Sequence, residues 1–132
     1  NAIKYYNENA PFAMIFKSEI NKIGAAVHLP HGATITGVTF YIRDIGIGAM
    51  DLSLERKRLD NYSVTNEVIG STTSTLTFGN TTRSVTINTN NVVDNSQYAY
   101  RVFMSVTDDE QDKDATITDI QQVVYGVVIA YQ

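Results

Sequence analysis

The sequence predicts a single all-β domain, an antiparallel β-sandwich of about eight or nine strands, and three observations predict it. Val, Ile and Thr together supply 41 of the 132 residues, against five Leu, and β-branched side chains are stiff at χ1 and pack well on a pleated surface. No stretch holds an apolar period of about 3.6 residues long enough to argue a helix. Short apolar or alternating runs are instead separated by clusters of Gly, Asn, Asp and Pro, at the spacing of a sandwich or barrel.

The runs predict strands over Ile3–Tyr6, Phe12–Lys17, Ala25–Leu29, Thr34–Arg43, Met50–Arg58, Ser63–Ser71, Arg83–Asn88, Tyr98–Thr107 and Val123–Tyr131, with Thr73–Phe78 continuing its predecessor beyond Gly70. Leu29-Pro30-His31-Gly32, Asp44–Gly48, Asp60-Asn61, Gly79-Asn80 and Asp94-Asn95-Ser96 are the turns between them. Gly and Asn tolerate positive φ there, and Pro presets the first turn position. Met50-Asp51-Leu52-Ser53-Leu54-Glu55 alternates as a strand with one wet face does. Within Thr34–Ile42 the apolar phase moves from odd (Ile35) to even (Val38, Phe40, Ile42), and a β-bulge at Gly37 would account for the change. The chain reads as one domain over residues 1–132, with 1–24 available as an arm or strand for assembly.

Val123-Val124-Tyr125-Gly126-Val127-Val128-Ile129-Ala130-Tyr131 has almost nothing polar on either face. A two-layer sandwich buries only one face of each strand by itself. The other face, Val124, Gly126, Val128 and Ala130 or the opposite set, is expected either under a loop or the N-terminal segment, or against another subunit. Phe12-Ala13-Met14-Ile15-Phe16 raises the same question near the other terminus. It is an internal strand or an arm added to a neighbour's sheet edge, with Ser18–Gly24 as the hinge. Phe12, Met14, Phe16, Val124, Val128 and Ala130 are the candidate assembly residues, and the expected partners are copies of the chain itself.

Other classes of function are disfavoured. No apolar run reaches the roughly 20 residues of a membrane-spanning helix, so no membrane span is expected. A net charge of −4 leaves no footprint for nucleic acid or anionic lipid. Without cysteine there is no thiol catalysis, disulfide framework or thiolate-bound zinc. His28 and His31, the only histidines, flank Pro30 and read as loop residues at a β-corner. No Gly-x-Ser-x-Gly nucleophile elbow is present. Asp108, Glu110, Asp112 and Asp114 repeat at the alternate spacing of a calcium loop. Lys113, however, stands where such a loop needs its turn glycine, and Asp119 where it needs a bidentate glutamate. A solvated acidic loop is the expected state, with weak calcium binding as the alternative. The expectation is therefore no enzyme and no cofactor.

The start at Asn1, without an initiator Met, fits removal of a signal peptide and equally a shortened chain. Scarce Lys and abundant Thr, Asn, Ser and Tyr fit secretion to the extracellular space or cell surface. The two sequons, Asn61-Tyr62-Ser63 and Asn80-Thr81-Thr82, decide nothing about a eukaryotic route.

Four phrases carry a resemblance: Ala26-Val27-His28-Leu29-Pro30-His31-Gly32-Ala33-Thr34-Ile35-Thr36, then Phe40-Tyr41-Ile42-Arg43-Asp44, Val93-Asp94-Asn95-Ser96-Gln97-Tyr98-Ala99-Tyr100, and Tyr125-Gly126-Val127-Val128-Ile129-Ala130-Tyr131. Over about four-fifths of its length the chain resembles a family of secreted bacterial β domains of uncharacterised role. The resemblance implies a jelly-roll-like sandwich of about eight strands at the bacterial surface, and it implies no catalytic residue. Taken together, these readings lead to an extracellular structural subunit that self-assembles into a homo-oligomer or filament. The alternative is a glycan-binding or adhesive module, in which Tyr5, Tyr6, Tyr41 and Tyr62 and the acidic loop contact a cell-surface polymer.

Overall fold

The computed structural model describes residues 2–6, 22–44, 49–61, 63–75, 79–107 and 123–132. Their eight strands are β1 (Ala2–Tyr6), β2 (Lys22–Val27), β3 (Ile35–Asp44), β4 (Ala49–Arg58), β5 (Glu67–Thr75), β6 (Gly79–Thr86), β7 (Tyr98–Thr107) and β8 (Val123–Tyr131). Sheet I has the order β1-β8-β3-β6 and sheet II the order β2-β7-β4-β5, and all neighbours are antiparallel. Four nested pairs, β1 with β8, β2 with β7, β3 with β6 and β4 with β5, are wrapped so that every connection except β4–β5 passes between sheets. That is the jelly-roll arrangement.

The strands follow the alternation read from sequence, with shifts that have local causes. β5 begins at Glu67 rather than Ser63, and it runs through Gly70 to Thr75 as one strand. β6 lies earlier than expected, from Gly79 to Thr86, and Ile87 just beyond it continues the inward series of Arg83 and Val85 into the core. The expected strand Phe12–Lys17 lies outside the described residues.

The core is the inward series of both sheets. Val38, Phe40 and Ile42 of β3 and Val127 and Ile129 of β8 face Met50, Leu52 and Leu54 of β4 and Tyr100 and Met104 of β7. Three bulges set this series. Ile35 pairs with Tyr131 and Gly37 with Ala130, so Thr36 is the extra residue. Ile35 and Val38 are thereby both buried despite their odd separation. The carbonyl freed at Thr36 accepts the Ile87 N–H at 3.1 Å. Farther along the same seam Tyr41 pairs with Gly126 and Ile42 with Val124, leaving Tyr125 over. On β5 the extra residue is Ile69, which is buried. Gly70, next to it, is where β5 closes on the 85–87 segment. A Cβ there would stand 3.1 Å from side-chain carbons of both Val85 and Ile87.

Adjacent residues on opposite faces give a test. Phe40→Ala should lower unfolding free energy by about 3–5 kcal/mol through lost burial and a cavity. Tyr41→Ala should change the stability of the single chain by less than about 1 kcal/mol. Urea titration of the two variants at low protein concentration checks the assignment.

Candidate functional site

The outer face of sheet I is set by register. On β3 it presents Gly37, Thr39 and Tyr41, which pair with Ala130, Val128 and Gly126 of β8 and with Thr86, Ser84 and Thr82 of β6. Opposite residues of an antiparallel pair share a face, so these rows lie together on the side away from the core. Val128 and Ala130 are half-buried and Tyr41 is 42% exposed. Thr39 and Ser84 share a hydroxyl hydrogen bond of 2.9 Å. The Tyr125 hydroxyl hydrogen-bonds the Asn80 side-chain oxygen, and this bond spans from β8 past β3 to β6. The central strip of Gly37, Thr39, Tyr41, Gly126, Val128 and Ala130 carries no charge.

Of the candidate assembly residues, Val128 and Ala130 therefore stand on this face. Val124 does not: the Tyr125 bulge pairs it with buried Ile42 and packs it against the core. Its assignment to an outer interface is corrected accordingly. Phe12, Met14 and Phe16 lie outside the described residues, as do Asp108, Glu110, Asp112 and Asp114. The β3 half of the face was missed in the sequence, although the alternation of Phe40 and Ile42 with Tyr41 and Arg43 carried the signal. Tyr5 and Tyr6 lie on β1, and Tyr62 lies outside the described residues. Tyr41 of the expected tyrosine platform is exposed.

Sheet II presents a different outer face, in which the charges are committed to one another. The Glu55 carboxylate is nearly buried and accepts hydrogen bonds from Ser53 Oγ (3.0 Å), Asn66 Nδ2 (3.1 Å) and Arg101 Nε (2.8 Å). Four donors on three elements, counting Arg101 Nη2 at 2.7 Å, compensate the desolvation of that carboxylate. The Arg101 guanidinium in turn lies 4.4 Å over the Phe103 ring, and that ring has space because Gly24 on β2 has no side chain to meet it. Arg56 pairs with Glu67 at 2.6 Å and lies 4.1 Å over the Tyr98 ring. The charged stretch Glu55–Arg58, which in sequence suggested nothing specific, ties β4 to β5, to β7 and, through Arg58 and Asp60, to its own turn.

At one end of the sandwich the β2–β3 and β6–β7 connections are clasped together. The Gly32 N–H donates to the Val93 carbonyl and the Val93 N–H to the Ala33 carbonyl, both at 2.8 Å. Gly32 has φ of 81°, a conformation that disfavours other residues. Asn95 donates its side-chain amide to the Leu29 carbonyl at 2.8 Å and its backbone N–H to His31 Nδ1 at 3.1 Å. The Tyr100 hydroxyl accepts the Asp94 N–H at 2.9 Å. Thr34 and Gln132 exchange backbone hydrogen bonds of 2.8 and 2.9 Å, which brings in the end of β8. Thus the phrases built around Leu29–Thr34, Val93–Tyr100 and the closing strand are neighbours in space, and their polar residues bond to one another. His31 is a loop residue serving as a hydrogen-bond acceptor. Among the described residues no three His, Asp or Glu side chains gather as metal ligands.

The described residues form the eight strands of a jelly-roll sandwich, with an uncharged central strip on the outer face of one sheet. Compared with family models and with curated proteins, the chain matches none.

Asp94 gives the clasp a pH dependence. Hydrogen bonds from the Ser96 hydroxyl (2.5 Å) and the Ser96 N–H (3.0 Å), with a smaller contribution from His31, hold its carboxyl below the ordinary value of 3.8. A carboxyl depressed in the folded state adds stability that is complete above the unfolded value and lost as pH falls through the folded one. The stability gap between the natural chain and Asp94→Asn should therefore be widest above pH 3.8 and shrink below it. Urea midpoints measured between about pH 6 and pH 2 check this.

Proposed function

We propose that this chain is a secreted structural domain of a bacterial surface that assembles with copies of itself through the outer face of sheet I, and that it does no chemistry of its own. One observation carries the reading: β8 is apolar on both faces. Val127 and Ile129 are 5% and 0% exposed and belong to the core, while Gly126, Val128 and Ala130 occupy the outer side of the same strand. Solvent-facing positions of a sandwich strand are ordinarily polar, as Asp51 and Lys57 are on sheet II. The core of a protein interface is depleted in charge, and the β3–β8 strip has that composition. The polar groups elsewhere support a structural role too, since Glu55, Arg101, Arg56 and Glu67 are spent on holding the sandwich together.

A compact closed oligomer and an extracellular filament both follow from such a face, according to the rotation between subunits. Tyr41, exposed beside Gly126 and Thr82, favours a second reading in which the same surface stacks against a saccharide.

Light scattering of the purified chain across concentration tests the first reading. The natural chain should show a mass above that of one subunit, and Val128→Asp, which places a charge on the strip without touching the core, should return it to a monomer that stays folded. A folded monomer at all concentrations, before and after the substitution, sinks the proposal. Retention of that monomer on insoluble cell-wall polysaccharide, abolished by Tyr41→Ala, would favour the second reading instead.

A further inference from the structure

The outer strip of sheet I is complementary to itself, and this fixes a mode of association that the self-assembly reading, on which it rests, leaves open. Within the sheet, Tyr41 pairs with Gly126, Thr39 with Val128 and Gly37 with Ala130. Tyr41 is far larger than Gly126, Thr39 and Val128 are nearly equal in size, and Gly37 and Ala130 are both small. Tyr41 is the projection of β3, 42% exposed, and Gly126, which has no side chain, stands between it and Tyr6 of β1. In the next row Val128 of β8 stands beside Thr39, and the last row, Gly37 and Ala130, is low on both strands.

We propose that a second copy of this chain docks face to face on sheet I, related by a two-fold axis that runs along the strands between β3 and β8. Such an axis exchanges the two strands. It brings Tyr41 of each copy over Gly126 of the other, Thr39 over Val128 and Gly37 over Ala130. The contact is isologous: one strip supplies both the projection and the gap. The one charged residue in these three rows is Lys4 of β1, paired with Val128, and the axis sets its position over that of Ser84 in the other copy.

The dimensions suffice. Four strands about 4.8 Å apart, with seven or eight residues rising about 3.4 Å each, give a face of roughly 450–500 Å². Two copies then hide roughly 1,000 Å², the threshold for a specific interface and just below the roughly 1,200 Å² at which the standard stable class begins. Sheets packed face to face stand about 10 Å apart, and a tyrosine side chain spans much of that gap only where its opposite position has no side chain.

The alternative of pairing strand edges is countered in sequence at two of the four edges, β6 and β5. On edge strand β6, Arg83 is opposite buried Phe40 and so lies on the core-facing series. A charge set inward on an edge strand blocks the addition of another strand. Of the two edge strands of sheet II, β2 and β5, the latter carries the Ile69 bulge and Glu67. Two of the four edges thereby resist addition of a strand from a second copy.

Exchange of the two residues tests the axis. Sedimentation equilibrium is run on the natural chain, on Gly126→Tyr, on Gly126→Tyr combined with Tyr41→Gly, and on Val128→Asp, with folding checked by circular dichroism. Gly126→Tyr alone sets tyrosine against tyrosine and should weaken dimerisation at least roughly tenfold. The combined variant exchanges projection and gap between strands related by the axis, and should restore affinity to within about threefold. Because the chain has no cysteine, a second measurement does not depend on these variants folding. Thr39→Cys, beside the axis, should be joined to its partner by a short bis-maleimide, and Asp51→Cys on sheet II should not. If Val128→Asp dissociates the protein while the combined variant stays as weak as Gly126→Tyr, or Thr39→Cys fails to crosslink, the two-fold arrangement is overturned and self-association stands. If the natural chain is a monomer throughout, both fall.

Discussion

The pairing of β3 with β8 is the constraint on which the rest of the structure depends. A sheet alternates strictly, so one residue inserted on either strand sends every later side chain to the other face. Thr36 and Tyr125 are two such insertions, one on each strand. The first lets Ile35 join Val38, Phe40 and Ile42 in the core. The second turns Val124 inward beside Val127 and Ile129. Between the bulges, Thr39, Tyr41, Gly126 and Val128 are left on the outside. Core and outer strip are thus two products of a single seam.

That seam also explains why the chain termini matter. β8 is the last strand in sequence but an inner strand of sheet I, hydrogen-bonded on both sides by β1 and β3. Its end is held by Thr34, and Thr34 opens the strand that follows the clasped loop of Leu29–Ala33. The segments Leu29–Thr34 and Val93–Tyr100 meet the end of β8 here. Their Asn, His, Asp and Gly residues satisfy backbone groups that would otherwise be buried or strained. The charged residues of β4 do the same for the other sheet, with Glu55 compensated by Ser53, Asn66 and Arg101.

Much of this was legible in the sequence, for identifiable reasons. Regular alternation placed β4 correctly and marked Leu52 and Leu54 as core. The phase change at Gly37 located a bulge to within one residue. Three features escaped. Val124, by simple alternation, belongs with Val128, and only the cross-strand register reveals the extra residue between them. The Glu55–Arg101 network joins residues 46 apart in sequence, and no local pattern announces such a pairing. β6 was placed too late because Ile87, apolar and in phase with Val85, extends the alternation past the end of the strand.

The central claim is that the outer strip of sheet I is covered by another copy of the chain. Hydroxyl-radical footprinting across protein concentration measures this most directly. Oxidation of Tyr41 should fall as concentration rises, while Leu59 and Val68, both exposed and away from sheet I, should react equally throughout. Undiminished oxidation of Tyr41 at every concentration, or protection of Leu59 and Val68 in its place, would contradict the account.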